Sequence, residues 1–143
     1  MENNNEEKWI KLPKYPTCFV CGQDNPAGLK LTFWARGREA RTEWTPEMKF
    51  CGYDGIVHGG VVATVLDEIM GWAGWLEYRK YYFTMKIEIR YRKPVYANTN
   101  YRVESHLTVC RDKIYLAEGE IISPEGETVA SGKATYMLRD RIE

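Results

Sequence analysis

The stretch Gly55-Ile56-Val57-His58-Gly59-Gly60-Val61-Val62-Ala63-Thr64-Val65-Leu66-Asp67-Glu68 sets a His-Gly-Gly step directly before a long apolar helix that carries a carboxylate in its interior. Bulky residues recur at helical spacing from 61 to about 76: Val61, Val65, Ile69, Trp72 and Leu76 form one row, with Val62, Leu66 and Ala73 beside it. That stripe predicts a core-facing helix. Asp67 lies off the stripe, and its neighbours three, four and seven residues away are Gly60, Ala63, Thr64, Met70, Gly71 and Gly74. Apart from Met70 this face is small, which predicts close approach by another backbone or by a ligand. A helix start leaves its first N–H groups unpaired and partly positive, so Gly59 and Gly60 are candidates for an oxyanion hole. A carboxylate is costly to bury unless it is paired or hydrogen-bonded. Asp67 therefore reads either as a side chain bonded to a neighbouring loop or as a functional acid or base.

Strand signals flank the helix. Residues 29–35 and 39–44 sit on either side of Arg36-Gly37-Arg38 and predict a hairpin. After the helix, Phe83, Met85, Ile87, Ile89 and Tyr91 alternate with Thr84, Lys86, Glu88, Arg90 and Arg92, the period of a half-buried strand, and Pro94 ends it. Further strands are expected at 101–109, 113–122 and 128–138, separated by Arg111-Asp112 and Pro124-Glu125-Gly126. Long strands with short turns favour antiparallel pairing. One apolar helix against five or six such strands makes the expected fold class α+β, a curved antiparallel sheet wrapped around a central helix. Residues 1–16 are read as a polar tail and a Pro- and Gly-punctuated lead-in, with 1–8 disordered, and 17–143 as a single domain.

Composition narrows the function classes. Twenty Lys plus Arg balance twenty Asp plus Glu, so no global field draws in nucleic acid or an anionic membrane. The most apolar run, 56–76, contains Asp67 and Glu68 and is no membrane span. The start, Met1-Glu2-Asn3-Asn4-Asn5-Glu6-Glu7-Lys8, lacks the basic-then-apolar order of a secretory signal, and a cytoplasmic protein is expected. Cys18, Cys21, Cys51 and Cys110 are irregularly spaced and read as reduced thiols. Cys18-Phe19-Val20-Cys21-Gly22 reads as a tight loop, because a structural zinc needs two more ligands and no second Cys-x-x-Cys exists. Cys51 with His58 would be the pair to complete one. No metal and no separate cofactor are expected.

The helix-and-sheet order, Gly55-x-x-His58-Gly59-Gly60 and an Asp nine positions after the His together resemble the hotdog-fold thioesterases of the PaaI-like group in the 4-hydroxybenzoyl-CoA thioesterase superfamily. Cys18-Phe19-Val20-Cys21-Gly22 and Asn25-Pro26-x-Gly28-Leu29 resemble a lead-in found in one branch of that group, and the likeness covers roughly 17–138. The resemblance implies an acyl-CoA thioesterase, with coenzyme A entering as part of the substrate. It implies that Asp67 activates water or attacks the thioester carbonyl, and that the Gly59 N–H, with His58 and Gly60 beside it, polarises that carbonyl. Thr84 matches a position that orients water in some members. Tyr91, Arg92, Lys93 and Pro94 match positions that often contact coenzyme A, and Arg111 and Lys113 lie in a turn open to the same contact; the four basic residues read equally as solvated surface charges. Relatives carry an Asn six residues before the His as a second carbonyl donor, whereas this chain has Gly52. That role falls to Asn25 or His58, or the hole is thinner here. The rival reading is an acyl-CoA-binding protein without hydrolysis.

Chemistry and spacing together predict an assembly. Thioester hydrolysis expels a thiolate whose parent thiol has a pKa of about 8.5, so it needs a base or nucleophile and an oxyanion hole rather than a strong acid. Gly59 and Asp67 are eight residues apart, roughly 12 Å along one helix, whereas the reacting atoms must meet within about 3–3.5 Å. One helix cannot satisfy both roles. Asp67 of one chain must face Gly59 of another, which predicts a two-fold homodimer with two equivalent sites. The resemblance extends this to a homotetramer.

Overall fold

A computed structural model describes residues 8–139, so residues 1–7 of the polar start and residues 140–143 lie outside it. The apolar stripe forms helix α1 (Gly59–Trp72), which buries Val62, Val65, Leu66, Ile69, Met70 and Trp72. Val61 and Leu76, expected in the same row, are only partly buried at its edge. The helix stops short of residue 76 because its last carbonyls are taken by other partners. The Gly71 carbonyl, which would accept from Trp75 in a continuing helix, accepts from the Tyr115 hydroxyl at 2.8 Å. The chain then breaks at Gly74 into a short helix α2 (Trp75–Tyr78), ended by Arg79 in the left-handed region at φ 54°.

Among the described residues seven strands form one antiparallel sheet: β1 (Ile10–Lys11), β2 (Trp34–Arg36), β3 (Glu39–Trp44), β4 (Tyr81–Tyr91), β5 (Tyr101–Arg111), β6 (Ile114–Ile122) and β7 (Thr128–Arg139). Their order across the sheet is β1-β2-β3-β5-β6-β7-β4, with α1 packed across β5, β6 and β7. The expected α+β architecture, one long helix against a wide antiparallel sheet, is the one found. Sheet hydroxyls anchor the helix along its length: Tyr136 donates to the Asp67 carbonyl at 2.8 Å, Ser105 to Ile69 at 2.5 Å and Tyr115 to Gly71. Each satisfies a helix carbonyl by a tertiary bond and fixes the rotation of α1 on the sheet.

Three expectations differ in detail. Residues 29–35 are extended only from Trp34, because Lys30 sits at φ 57° and the Leu29 and Leu31 amides bond to Phe19 and Val20 of the lead-in at 2.9 Å each. The strand set also gains β1 from the lead-in, where Ile10 and Lys11 pair with Ala35 and Trp34 and Leu12 is buried. The apolar row of β4 is not half-buried within this chain. Phe83, Met85, Ile87 and Tyr91 are 51, 53, 37 and 53% exposed, because β4 is the sheet's outer strand and pairs on one side only with β7. Among the described residues no helix is long and apolar enough to cross a membrane.

Candidate active site

At the start of α1 one of the two glycine amides is left free and the other is capped. His58 is the N-cap: its Nδ1 accepts from the Gly60 N–H at 2.9 Å, and its carbonyl accepts from Val61 and Val62 at 2.9 and 3.2 Å. Among the described residues nothing accepts from the Gly59 N–H, which is left as the one unpaired amide of the first turn. An Nδ1 that accepts a hydrogen bond fixes the neutral imidazole with its proton on Nε2, as assigned from the bond network. The His58 ring therefore has an N–H to offer beside the free amide. Gly52 leaves room next to it, since a Cβ there would stand 3.7 Å from the His58 ring edge.

Tyr91 closes the other side of this turn, its hydroxyl donating to the Gly59 carbonyl at 2.6 Å. Partial burial raises its phenol above the ordinary range and keeps the proton in that bond. His58, Gly59 and Tyr91 line a groove of about 490 Å³ together with Arg92, Lys93 and Pro94. The structure thus gathers Gly59, His58 and the expected Tyr91-to-Pro94 contact residues in one place, whereas the Gly60 amide, the second expected donor, is taken by His58 Nδ1. Lys93 is engaged there by Glu127, while Arg92 holds the β4 end through its amide on the Val129 carbonyl at 2.9 Å.

Asp67 stands apart from that groove, eight residues beyond Gly59 along α1. Its Oδ1 accepts from the Thr84 hydroxyl at 2.9 Å and shares the single Tyr136 hydroxyl proton, also at 2.9 Å, with the Asp67 carbonyl in a three-centre bond. Thr84 and Tyr136 are directly opposed partners on β4 and β7, so a single cross-strand pair presents both hydroxyls to one carboxylate oxygen. Among the described residues nothing donates to Oδ2. Burial first and the Asp67 charge second push the Tyr136 phenol far above its ordinary range, so it stays a donor. Tyr136 is the residue that sequence reasoning missed. Its signal was a tyrosine on the inward row of an alternating strand, where a buried phenol must find a polar partner.

The small face around Asp67 divides in two. Toward the C-terminus it is filled by the chain's own rings: a Cβ on Gly71 would collide with the Tyr82 ring, and one on Gly74 would stand 3.2 Å from Tyr115. Tyr82, Tyr115 and Tyr136 pack against each other, with Tyr82 edge-on to Tyr136 at 5.0 Å and Tyr115 stacked on it at 5.1 Å. Toward the N-terminus Gly60 is exposed and Ala63 and Thr64 are only partly covered, so close approach from outside is possible only there. Glu68 turns the other way. Its Oε1 accepts from Trp72 Nε1 at 3.0 Å and from the Cys18 thiol at 3.8 Å, and burial pushes its carboxyl up to about 7.

The remaining expected residues lie elsewhere in the chain. Asn25 is occupied by its own loop, accepting from Ala27 at 3.0 Å and donating to the Thr17 carbonyl at 3.1 Å. Arg111 and Lys113 flank the β5–β6 turn at the Tyr81 end of the sheet, whereas the groove lies at the Tyr91 end. Eleven residues of β4 separate the two ends by about 30 Å.

Comparison with known proteins places this geometry. The family model for the thioesterase superfamily matches residues 54–130, the span from the turn before α1 to the first residues of β7. No curated protein matches the chain. A crystal structure of a thioesterase superfamily protein superposes with a TM-score of 0.78 at 22% identity, covering 85% of this chain and 60% of that one, so the chain spans about three fifths of that protein's length. The PaaI protein of E. coli, from the phenylacetic acid degradation operon, gives 0.71 at 14% identity, covering 78% and 80% of the two chains. A hypothetical thioesterase from Streptococcus pneumoniae, crystallised with coenzyme A, gives 0.67 at 17% identity, covering 73% and 84%. At these identities the likeness establishes the hotdog fold.

Proposed function

The chain belongs to the thioesterase superfamily, and on that premise we propose that it hydrolyses an acyl-CoA thioester to the free acid and coenzyme A. The observation that carries this reading is the state of Asp67, whose Oδ1 is held by two hydroxyls while Oδ2 is left open. A carboxylate fixed on one oxygen and free on the other is oriented to take a proton from water or to add to a carbonyl. In the general-base form, water adds to the thioester carbon as its proton passes to Asp67. The carbonyl oxygen gathers negative charge against the Gly59 N–H and the His58 Nε2–H. Collapse then breaks the carbon–sulfur bond, and the coenzyme A thiolate leaves with little need of an acid.

His58 fills the role that Gly52 leaves vacant, because its Nδ1 is committed to the Gly60 amide and its proton must sit on Nε2. Gly59 and Asp67 face each other only across a dimer, since both lie on the single helix α1. The exposed apolar residues of β4 support the same assembly: an eleven-residue outer strand, rich in Phe, Met, Ile and Tyr and with one edge free among the described residues, forms a template for pairing with a second copy. A two-fold axis beside β4 would bring the Arg111–Lys113 turn of one chain to the groove end of the other.

Incubation of the purified protein with a panel of acyl-CoAs and a thiol-detecting reagent, beside Asp67→Asn, tests the reading. Thiol release by the wild type and a loss of several orders of magnitude in kcat for the variant are expected. Tight binding with no thiol release would make the protein an acyl-CoA binder instead.

A further inference from the structure

We propose that Cys18, Cys21 and Glu68 form a binding site for a thiophilic divalent cation, zinc being the natural occupant. The three ligand atoms, two sulfurs and a carboxylate oxygen, lie within 4.8 Å of one another, although Glu68 is 50 residues from Cys18 in sequence. In a tetrahedral zinc site with metal–sulfur bonds of about 2.3 Å and a metal–oxygen bond of about 2.0 Å, neighbouring sulfurs stand about 3.8 Å apart and sulfur and oxygen about 3.5 Å. The Cys18 sulfur is already 3.8 Å from Glu68 Oε1. No pair of the three atoms is more than 4.8 Å apart, so closing around a metal requires no approach greater than about 1.3 Å.

The backbone is shaped to hold the two sulfurs together. The Cys18 amide donates to the Tyr15 carbonyl and the Gly22 amide to the Cys18 carbonyl, both at 2.9 Å, which turns the chain into a knuckle. A Cβ at residue 22 would stand 2.5 Å from the Cys18 amide nitrogen, the Cys18 carbonyl oxygen and the Pro16 carbonyl oxygen, so only glycine closes that turn. Glu68 is oriented in the way that metal ligands are, by an outer hydrogen bond, here from Trp72 Nε1 at 3.0 Å. Two thiolates and one carboxylate select a soft or borderline cation over magnesium or calcium. The fourth position belongs to the second Glu68 oxygen or to water arriving past Cys18, which is only partly buried, whereas Cys21 is fully covered.

Binding is an acid–base exchange without electron transfer: two metal–sulfur bonds and one metal–oxygen bond form in place of bonds from the metal to water, and the two thiol protons, with any proton held by the Glu68 carboxyl, pass to buffer. Cys51 and Cys110, the other free thiols, are not part of the group. The metal would staple the lead-in to α1 one residue beyond Asp67. That explains why a Cys-x-x-Cys without a second pair lies over a helix glutamate.

The test is an anaerobic titration of the reduced, metal-free full-length protein with Co²⁺. One cobalt per chain, with thiolate-to-cobalt absorption in the near ultraviolet that Zn²⁺ bleaches, is expected. The absorption should persist in Cys51→Ser/Cys110→Ser, vanish in Cys18→Ser and in Cys21→Ser, and persist in Glu68→Gln with affinity lowered about tenfold or more. Thermal unfolding with and without Zn²⁺ should show a rise in Tm for the wild type alone among the wild type, Cys18→Ser and Cys21→Ser proteins. Failure of the wild type to develop thiolate bands while all four thiols titrate as reduced would overturn the proposal. Equal bands in Cys21→Ser, or a residue 18–21 disulfide that re-forms and ignores cobalt, would overturn it as well.

Discussion

Replacing Gly59 by proline removes one hydrogen-bond donor and very little else. Gly59 is the first residue of α1, the helix position at which proline is best tolerated because its missing N–H had no helical partner. The residue before a proline must be extended, and His58 already is, at φ −55° and ψ 133°. A Cβ at 59 would meet the Tyr91 ring first, at 3.6 Å, an ordinary contact. Folding stability should therefore hold or rise by roughly 0.4–1 kcal/mol, since proline restricts the unfolded chain. Turnover should collapse. Loss of a single oxyanion-hole donor costs about 10²–10³ in kcat, or roughly 2.7–4 kcal/mol. Gly59→Ala, which keeps the N–H, should retain most of the activity. The assay is acyl-CoA hydrolysis followed by thiol release, with Tm and circular dichroism as the check on folding. A well-folded Gly59→Pro enzyme with wild-type kcat would refute the assignment of that amide to the carbonyl oxygen.

Other expectations rest on neighbouring parts of the site. Tyr136→Phe strips Asp67 of one of the two donors on Oδ1 and leaves the Asp67 carbonyl without its tertiary bond; a hydrogen bond to a charged group is worth about 1.5–3 kcal/mol, so kcat should fall by roughly tenfold or more with KM little changed. Steady-state kinetics read this directly, and an unchanged kcat would reduce Tyr136 to a packing residue. Met85→Lys with Ile87→Lys places two like charges per chain on the exposed outer strand; sedimentation should show monomers, with activity lost in parallel. Full activity in a monomeric variant would contradict a site built from two chains.

The sequence made α1, β5, β6 and β7 legible because burial there follows simple periods: Val62, Val65, Leu66 and Ile69 on the helix, and alternating rows in the three strands. It also singled out the His58-Gly59 step and Asp67, since an unpaired helix start and a lone carboxylate are local features, whereas Thr84 entered only through the resemblance to a known family. What it hid was tertiary. Tyr136 reaches Asp67 across 69 positions of sequence, and Glu68 meets Cys18 across 50, contacts that no spacing rule encodes. Lys30 in a left-handed conformation cut a strand that its apolar alternation had promised, because Leu29 and Leu31 found their backbone partners in the lead-in rather than in the sheet. The outer row of β4 looked half-buried by period, yet burial depends on the neighbours beyond the strand, and within one chain β4 has neighbours on one side only.

The sharing of each site between two chains is tested most directly by mixing two inactive variants. Asp67→Ala keeps a sound oxyanion hole and Gly59→Pro keeps a sound carboxylate, so a heterodimer rebuilds one of its two sites. Random exchange at equal amounts makes half of the dimers heterodimers, and activity should return to about a quarter of the wild-type value. Continued inactivity in a mixture whose subunits have demonstrably exchanged would contradict the account.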